Sequence, residues 1–395
     1  MPDRLDRAPQ DGGVGPGEEG RPAHEERPAH DARPDLRALP LDRLQALVAA
    51  LREKPFRARQ IHRWLHRAGA AHLDEMTDVP RALRAELAER TVLTTLERAT
   101  EQISSDGTIK WTWRTADGKL VESVYMPETD RRTLCVSSQV GCAVGCTFCL
   151  TGTMGLSRNL GPGEIVDQVH RANRRIVELG LAGGPRPLTN LVFMGMGEPL
   201  ANYRSLKVAL DLLLAEDGPN FSHRHVTVST SGLVPVMRRL GAETPVKLAV
   251  SLNATTDAVR DVIMPINRRY PLGELLAACR AFPVRQGRRI TFEYVLLAGV
   301  NDALEDARRL PGLLRGIPAK VNLIPYNANP GLPYAAPDPA RVVAFQEVLA
   351  SRNVTAVIRK NRGADISAAC GQLAAEGGPG DPRRRPALAV LPDLG

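Results

Sequence analysis

The chain has 395 residues, 43% hydrophobic and only 4% aromatic, with six cysteines and a formal net charge of +8. That length can bury a large core, in one barrel with additions or in two to three domains. No apolar run approaches membrane-spanning length and the start is charged and proline-rich with no signal-peptide pattern, so neither a secretory leader nor a membrane span is expected, and the protein is expected to be cytoplasmic with reduced thiols. The basic excess points to a polyanionic partner, most simply nucleic acid, although arginine-rich coding bias gives the same signal.

Residues 1–38 are dense in Pro, Gly, Arg, Glu and His and are expected to form a disordered tail, because they offer too little apolar surface to offset the entropy of ordering. Residues 39–95 are expected to be a small helical accessory domain. One helix starts near Asp42 with Leu44, Leu47, Val48 and Leu51 at helical spacing, and a second from Arg57 buries Ile61, Trp64 and Leu65. A third, after the capping signal at Asp78, carries Val79, Leu83 and Leu87. Arg52, Lys54, Arg57, Arg59, Arg63 and Arg67 give this module a basic surface suited to RNA, or equally a solvated helix face. His62 and His66 stand four apart but lack the intervening Glu of a metalloprotease motif.

Residues 96–129 change to short β segments, Ile109–Thr115 and Leu120–Met126, punctuated by Asp106-Gly107 and Asp117-Gly118, which predicts a meander. From 130 to 376 strands and helices alternate. Strands are expected at Thr133–Val136, Asn190–Met194, His225–Ser229, Val246–Leu252, Ile290–Leu297 and Val321–Pro325, with a last short one at Thr355–Ile358. Helices are expected at Glu164–Leu179, Ser205–Leu214, Leu275–Phe282, Leu304–Leu314 and Ala340–Leu349. The fold class is therefore α/β, a partial (β/α)6 barrel with a small N-terminal helical domain and a short meander; six strands are too few to close an eight-stranded barrel. Residues 377–395 return to a Pro-, Gly- and Arg-rich composition and are expected to be a second disordered tail.

Cys142, Cys146 and Cys149 lie within eight residues, just after the first barrel strand, where parallel α/β proteins gather their chemistry. Thiolates so arranged select zinc, Cu(I) or an iron–sulfur cluster, and three protein ligands leave one metal position open. Polar residues end the following strands: Gly195-Met196-Gly197-Glu198 after the second, Ser229 after the third, Ser251-Leu252-Asn253 after the fourth and Asn327 after the sixth. They either rim a cofactor pocket or cap helices. Read from the residues alone, Cys279 and Cys370 are small buried thiols and Glu122 is a strand carboxylate.

The segment CAVGCTFC resembles the cluster motif of radical S-adenosylmethionine (SAM) enzymes, and TLCVSSQVGCAVGCTFC, GMGEPL, VSTSG and the terminal ADISAACGQL narrow the likeness to RNA adenine methyltransferases of the RlmN/Cfr family. The resemblance runs from Leu41 to Leu373. It implies that Cys142, Cys146 and Cys149 hold a [4Fe-4S] cluster whose fourth iron binds SAM, and that Gly197, Glu198, Ser229, Ser251, Leu252, Asn253 and Asn327 contact SAM. At Asn253 the family more usually has His. The likeness further implies that Cys370 carries a methyl group taken from a first SAM, that a 5'-deoxyadenosyl radical from a second activates it, and that Cys135 resolves the protein–RNA adduct, leaving a Cys135–Cys370 disulfide. Glu122 aligns with the carboxylate that accepts the ring proton. Carbon 2 of an adenosine in 23S ribosomal RNA, at the peptidyl transferase centre, is the expected target, with an adenosine beside the transfer-RNA anticodon; carbon 8 is the alternative. Arg131, Arg132, Arg359 and Arg362 are expected to help bind RNA, an external flavodoxin-like or ferredoxin-like donor to supply electrons, and the protein to act as a monomer. From a different class, a noncatalytic RNA-binding protein with a structural zinc fits the thiol loop but leaves Cys135, Cys370 and the Gly-Glu segment without a role.

Overall fold

A computed structural model describes residues 33–373 apart from Pro185 and Pro330. The expected tails at 1–32 and 374–395 lie outside the described residues. The N-terminal tail does not reach residue 38 as expected, because Leu36–Ala38 is a 3-10 turn capped by Asp35, with Leu36 and Arg37 fully buried. Arg37 reads in the sequence as one more solvated charge. Folded, it donates to the carbonyls of Leu65 (2.6 Å) and Ala70 (2.5 Å) and pairs with the equally buried Asp167 at 3.2 Å.

The N-terminal module packs α1 (Leu41–Ala50), α2 (Phe56–His62) and α3 (Arg81–Arg90) around its own cluster of Leu44, Val48, Ile61, Leu65, Met76, Leu83 and Leu87. A π-helical turn, Arg63–Ala68, extends α2 and carries Leu65 and His66 inward. His62 and His66 are buried with ring centroids 4.6 Å apart, and His66 also lies 5.9 Å from His170. Of the expected basic residues, Arg63 is neutralised by Asp78 at 2.6 Å.

The main sheet runs β1 (Glu97–Ile103), β2 (Ile109–Arg114), β3 (Leu120–Pro127), β4 (Arg132–Cys135), β7 (Asn190–Phe193), β8 (Val226–Thr230), β9 (Lys247–Ser251), β10 (Ile290–Leu296), β11 (Ala319–Pro325) and β12 (Ala356–Ile358). The first four are antiparallel neighbours; from β4 onward every pair is parallel. The expected six barrel strands are β4 and β7–β11, and β12 adds a seventh. The meander is continuous with this sheet, since β3 pairs with β4. A separate hairpin, β5 (Gln139–Gly141) with β6 (Leu156–Asn159), lies between β4 and the first long helix and is too short and polar to signal itself in the sequence.

Helices α4 (Leu150–Thr153), α5 (Pro162–Glu178), α6 (Tyr203–Leu214), α7 (Val234–Glu243), α8 (Asp257–Ile263), α9 (Leu272–Ala281), α10 (Leu304–Leu313) and α11 (Pro339–Ala350) connect the strands. α5 follows the expected pattern, burying Ile165, Val169, Ala172 and Ile176. α4, α7 and α8 are not among the expected helices; α4 and α8 have only four and seven residues, and α7 has Pro235 in its first turn. Cys279 is a core residue on α9, as expected.

Strand alternation sorts the sheet into two faces. On β3, Ser123 faces α5, where its hydroxyl donates to Gln168 Oε1 (2.8 Å). Glu122, Val124 and Met126 therefore share the opposite, inner face, and Cys135 joins them through its pairing with Val124. The C-terminal loop after β12 bridges the open side of the curled sheet: Ser104 Oγ donates to Asp365 Oδ1 (2.6 Å) and Lys110 Nζ to the Ser367 carbonyl (3.4 Å).

Candidate active site

Cys142, Cys146 and Cys149 occupy the loop between β5 and α4, at the C-terminal end of the parallel strands. The hairpin turns the chain back on itself: Cys142 N donates to the Gly155 carbonyl (2.9 Å) and Cys149 N to the Cys146 carbonyl (3.2 Å). Gly141 has φ +79°, and a Cβ there would stand 1.9 Å from the Gly155 oxygen, so only glycine lets the hairpin close. The loop is seated from three directions. Thr147 N donates to the Ile263 carbonyl (3.1 Å), Thr147 Oγ1 lies 2.5 Å from Tyr334 OH, and Leu150 N donates to the Gly371 carbonyl (2.9 Å).

Burial pushes the Cys142 thiol up to about 12 and raises Cys146 and Cys149 too; the charge of Cys149 adds to Cys142, and those of Cys149 and Cys142 add to Cys146, so the three share one small volume. Glu198 raises Cys146 further, while Arg260 opposes it. Among the described residues no three His, Cys, Asp or Glu side chains already enclose a single ion. The fit to an iron–sulfur cluster therefore rests on donor chemistry: three soft thiols, in a largely apolar surround, whose protons a metal displaces.

The expected SAM contacts fall into two groups. Glu198, 4% exposed, has one carboxylate oxygen accepting from Leu200 N (3.1 Å) and the other from Ser231 N (2.7 Å) and Oγ (2.8 Å), so its side chain fixes the strand ends. Gly195 and Gly197 are small for a packing reason as well: a Cβ on Gly195 would meet Ser137 Oγ at 2.6 Å, and one on Gly197 would meet Gln139 Cβ at 2.5 Å. Their smallness lets this segment pack on the β4–β5 link. Ser229 and Ser251 are half-buried on the inner faces of β8 and β9. Leu252 is fully buried.

Asn253 stands apart from the rest. It is 2% exposed, with φ +56°; its Oδ1 accepts from Val295 N (2.8 Å) and its Nδ2 donates to Met264 Sδ (3.2 Å). The side chain thus ties the end of β9 to β10 through Val295 and to the end of α8 through Met264. Asn327 is the reverse: its Nδ2 is buried without a hydrogen-bond partner, and the residue lines the cleft described next. A buried donor of this kind awaits an acceptor from a bound molecule.

That cleft, about 70 Å³, brings together Cys135, Cys149, Asn327, Arg359 and Cys370. Burial pushes Cys135 up to about 12, with the charge of Cys370 adding to it and Arg359 opposing. Val124 and Met126 form one wall, so Glu122, two residues back on the same face, points toward the same interior. Glu122 is 2% exposed and its carboxylate lies 3.5 Å from Lys110 Nζ. Glu293 approaches from β10, one carboxylate oxygen accepting from Asn322 Nδ2 (3.0 Å).

Two residues with a part in this arrangement escape the sequence. Arg260, fully buried, donates to the carbonyls of Leu252 (3.0 Å), Ser231 (2.7 Å) and Ser251 (3.1 Å), gathering the ends of β8 and β9 beside Cys146. Burial holds it down to about 10. Asn301 Nδ2 donates to the carbonyls of Asn253 and Val295 (2.7 Å each). Neither has a local sequence signal, because each acts on backbone groups of other elements.

Comparison with known proteins agrees with this geometry. Residues 136–310 match the family model described as the radical SAM superfamily, and residues 34–93 match the ribosomal RNA large subunit methyltransferase N-terminal domain. The chain is 83% identical over 363 residues to the dual-specificity RNA methyltransferase RlmN of Anaeromyxobacter sp. (strain Fw109-5), covering 91% of this chain and 96% of that one. It is 58% identical to dual-specificity RNA methyltransferase RlmN 2 of Myxococcus xanthus (strain DK1622), covering 87% and 91%. The crystal structure of a radical SAM methyltransferase from Sphaerobacter thermophilus shares 51% identity with a TM-score of 0.83, over 87% of this chain and all of that one.

Proposed function

The chain belongs to the RlmN family of dual-specificity RNA methyltransferases within the radical SAM superfamily, and we propose that it methylates carbon 2 of one adenosine in 23S ribosomal RNA and of one beside the transfer-RNA anticodon, with Cys370 as methyl carrier. The observation that carries this reading is the shared cleft of Cys135, Cys149 and Cys370 beside the thiol loop, which supports Cys370 as the carrier and Cys135 as the resolving thiol.

Carbon 2 of adenine is electrophilic and has no lone pair to attack a sulfonium methyl, so ordinary methyl transfer fails there. Cys142, Cys146 and Cys149 would hold a [4Fe-4S] cluster, whose chemistry would be one-electron cleavage of SAM to a 5'-deoxyadenosyl radical. Asn327 would offer its unpartnered amide to that SAM, and the family resemblance adds Gly197, Glu198, Ser229, Ser251 and Leu252 as its other contacts. Asn253 serves the same pocket from behind, by fixing β9 to β10.

The Cys370 sulfur takes a methyl group from a first SAM and presents it over the cleft. After the radical takes one hydrogen atom from that methyl, its carbon would add to the ring and the adduct would return the electron spent on cleaving SAM; the carbon-2 proton must then leave, and Glu122 is the carboxylate of the same inner face, with Lys110 beside it to balance its charge. Cys135 then attacks the Cys370 sulfur. The carbon–sulfur bond breaks toward carbon, which takes up a proton to complete the methyl group; the methylated base is released, and the two sulfurs are left as a disulfide that needs two electrons to reset.

The N-terminal helices, with exposed Arg52, Lys54, Arg59 and Arg67, and the loop residues Arg359 and Arg362 go with RNA binding, and a flavodoxin-like or ferredoxin-like protein goes with cluster reduction. No helix among the described residues is long and apolar enough to cross a membrane. The test is nucleoside mass spectrometry of both RNAs after reaction with the reduced enzyme. Methyl at carbon 2 in each is the expected result; methyl at carbon 8, or in neither RNA, overturns the reading.

A further inference from the structure

The end of the barrel opposite the thiol loop carries an unneutralised cluster of cations. Arg224 precedes β8, Lys247 opens β9, Arg285, Arg288 and Arg289 precede β10, and Lys320 is the second residue of β11. All six therefore gather at the N-terminal ends of parallel strands. Lys247 shares its face of the sheet with Ser251, and Lys320 with Asn322, whose amide reaches Glu293 across β10, so both lysines are set on the inner side of the sheet. Two adjoining cavities of about 340 and 550 Å³ open here, and both are lined by Lys247, Arg285 and Arg288.

Among the described residues, none of the six has a carboxylate within 4.0 Å. Glu243, which lines the smaller cavity, is taken by Arg239 Nε (2.7 Å) and Tyr203 OH (2.8 Å). Arg131, at the same end, is paired with Glu128 (2.5 Å). His223 Nε2 stands 3.3 Å from Arg285 Nη1 and adds a further nitrogen to the cluster. Burial and the charges of Lys320, Arg288 and Arg131 hold the Lys247 ammonium below its usual range, a sign of crowding that an anion would relieve.

From this clustering of unpaired cations around two open cavities, we propose that the lower rim of the barrel is a second RNA-contact surface that grips phosphates of a substrate segment remote from the target adenosine. Five-to-seven-residue strands, at about 3.3 Å per residue, separate this rim from the active-site mouth by roughly 17–23 Å. A folded RNA can span that distance, whereas a stem-loop of under about five base pairs, at roughly 3.4 Å per pair, cannot. Phosphate backbone fits better than an acidic protein because protein interfaces have an apolar or aromatic core, and none of the exposed large hydrophobic side chains belongs to the cavity linings. The proposal rests on the RNA-methyltransferase reading only for the identity of the RNA.

The experiment uses the full chain with Arg224→Glu and Arg285→Glu together, both exposed and neither bonded to backbone, and Arg224→Gln with Arg285→Gln as a milder pair. Binding of 23S rRNA domain V fragments, whole transfer RNA and a short target hairpin is followed by fluorescence anisotropy across a salt series. The charge-reversed pair should bind the large RNAs about tenfold more weakly, with the log–log salt slope reduced by about two, and should bind the hairpin as the parent does. Unchanged affinity and slope for the large RNAs overturn the proposal. So does an unchanged RNA affinity joined to lost activity with a protein reductant but full activity with dithionite, which assigns the rim to an acidic electron donor. Binding is read without turnover, so a parent protein that binds but methylates nothing refutes the proposed function and leaves this comparison intact.

Discussion

Cys135, at the end of β4, and Cys370, in the loop that bridges the open side of the barrel, line one cleft and lie close enough for the charge of one to raise the proton affinity of the other. The loop is latched at both ends, by Asp365 to Ser104 and by Gly371 to Leu150, so the carrier thiol is presented on a braced segment. Cys135→Ala should therefore accumulate a covalent protein–RNA species, because nothing then breaks the bond through Cys370. A denaturing gel with labelled RNA reads this directly; free RNA only would count against the resolving role.

Arg260 holds three strand-end carbonyls from full burial. Arg260→Met should lower stability by about 3–5 kcal/mol, the usual cost of stripping partners from a buried charged network. Urea unfolding of the iron-free protein measures it, and a loss under about 1 kcal/mol would show that water replaces the guanidinium.

Asn253→Ala leaves Val295 N without its acceptor inside the core, which costs about 1–3 kcal/mol. SAM affinity should fall less than stability does. The comparison is thermal unfolding against isothermal titration with SAM on the reconstituted protein. Full stability with abolished SAM binding would make Asn253 a direct ligand.

Gly141→Ala forces a Cβ against the Gly155 oxygen in a left-handed conformation. The hairpin that orients Cys142 cannot then close. Iron content after reconstitution should drop to that of a Cys142→Ala variant, while far-UV circular dichroism stays near the parent; normal iron loading would mean that the hairpin relaxes without disturbing the thiols.

His66 and His170 are held well below their usual range, first by burial and then by neighbouring positive charge, and His62 is lowered by burial. A histidine with a depressed folded pKa is neutral in the native state, while the unfolded chain binds a proton below about 6.5. Their contribution is therefore present above 6.5 and is lost as pH falls, by up to about 1.4 kcal/mol per pH unit for each. Melting temperature from pH 8 to 5 should fall, and His66→Phe should make the fall shallower. An unchanged slope would mean that His66 is already protonated in the fold.

Much of this site is legible in the sequence. The three-thiol spacing, the strand–helix alternation and the polar residues ending successive strands place the chemistry at one mouth of a partial barrel. What escapes is long-range: Arg37 and Arg260 carry no local signal because their partners are carbonyls and carboxylates of other elements, and His170 meets His66 only through the packing of α5 on the N-terminal module. Glycines are ambiguous for a related reason. Gly195 and Gly197 look like room for a ligand, yet the same absence of Cβ serves a neighbouring strand, and no local pattern separates the two uses.

The central claim is that Cys370 carries the transferred carbon. Reaction of reduced enzyme with SAM bearing a fully deuterated methyl, followed by peptide and nucleoside mass spectrometry, tests it most directly. The expected result is a labelled methyl on the Cys370 peptide before RNA is added, then a methyl on adenosine carbon 2 that has exchanged one deuterium. A methyl that reaches RNA with every deuterium retained, or a Cys370 peptide that is never labelled, would contradict it.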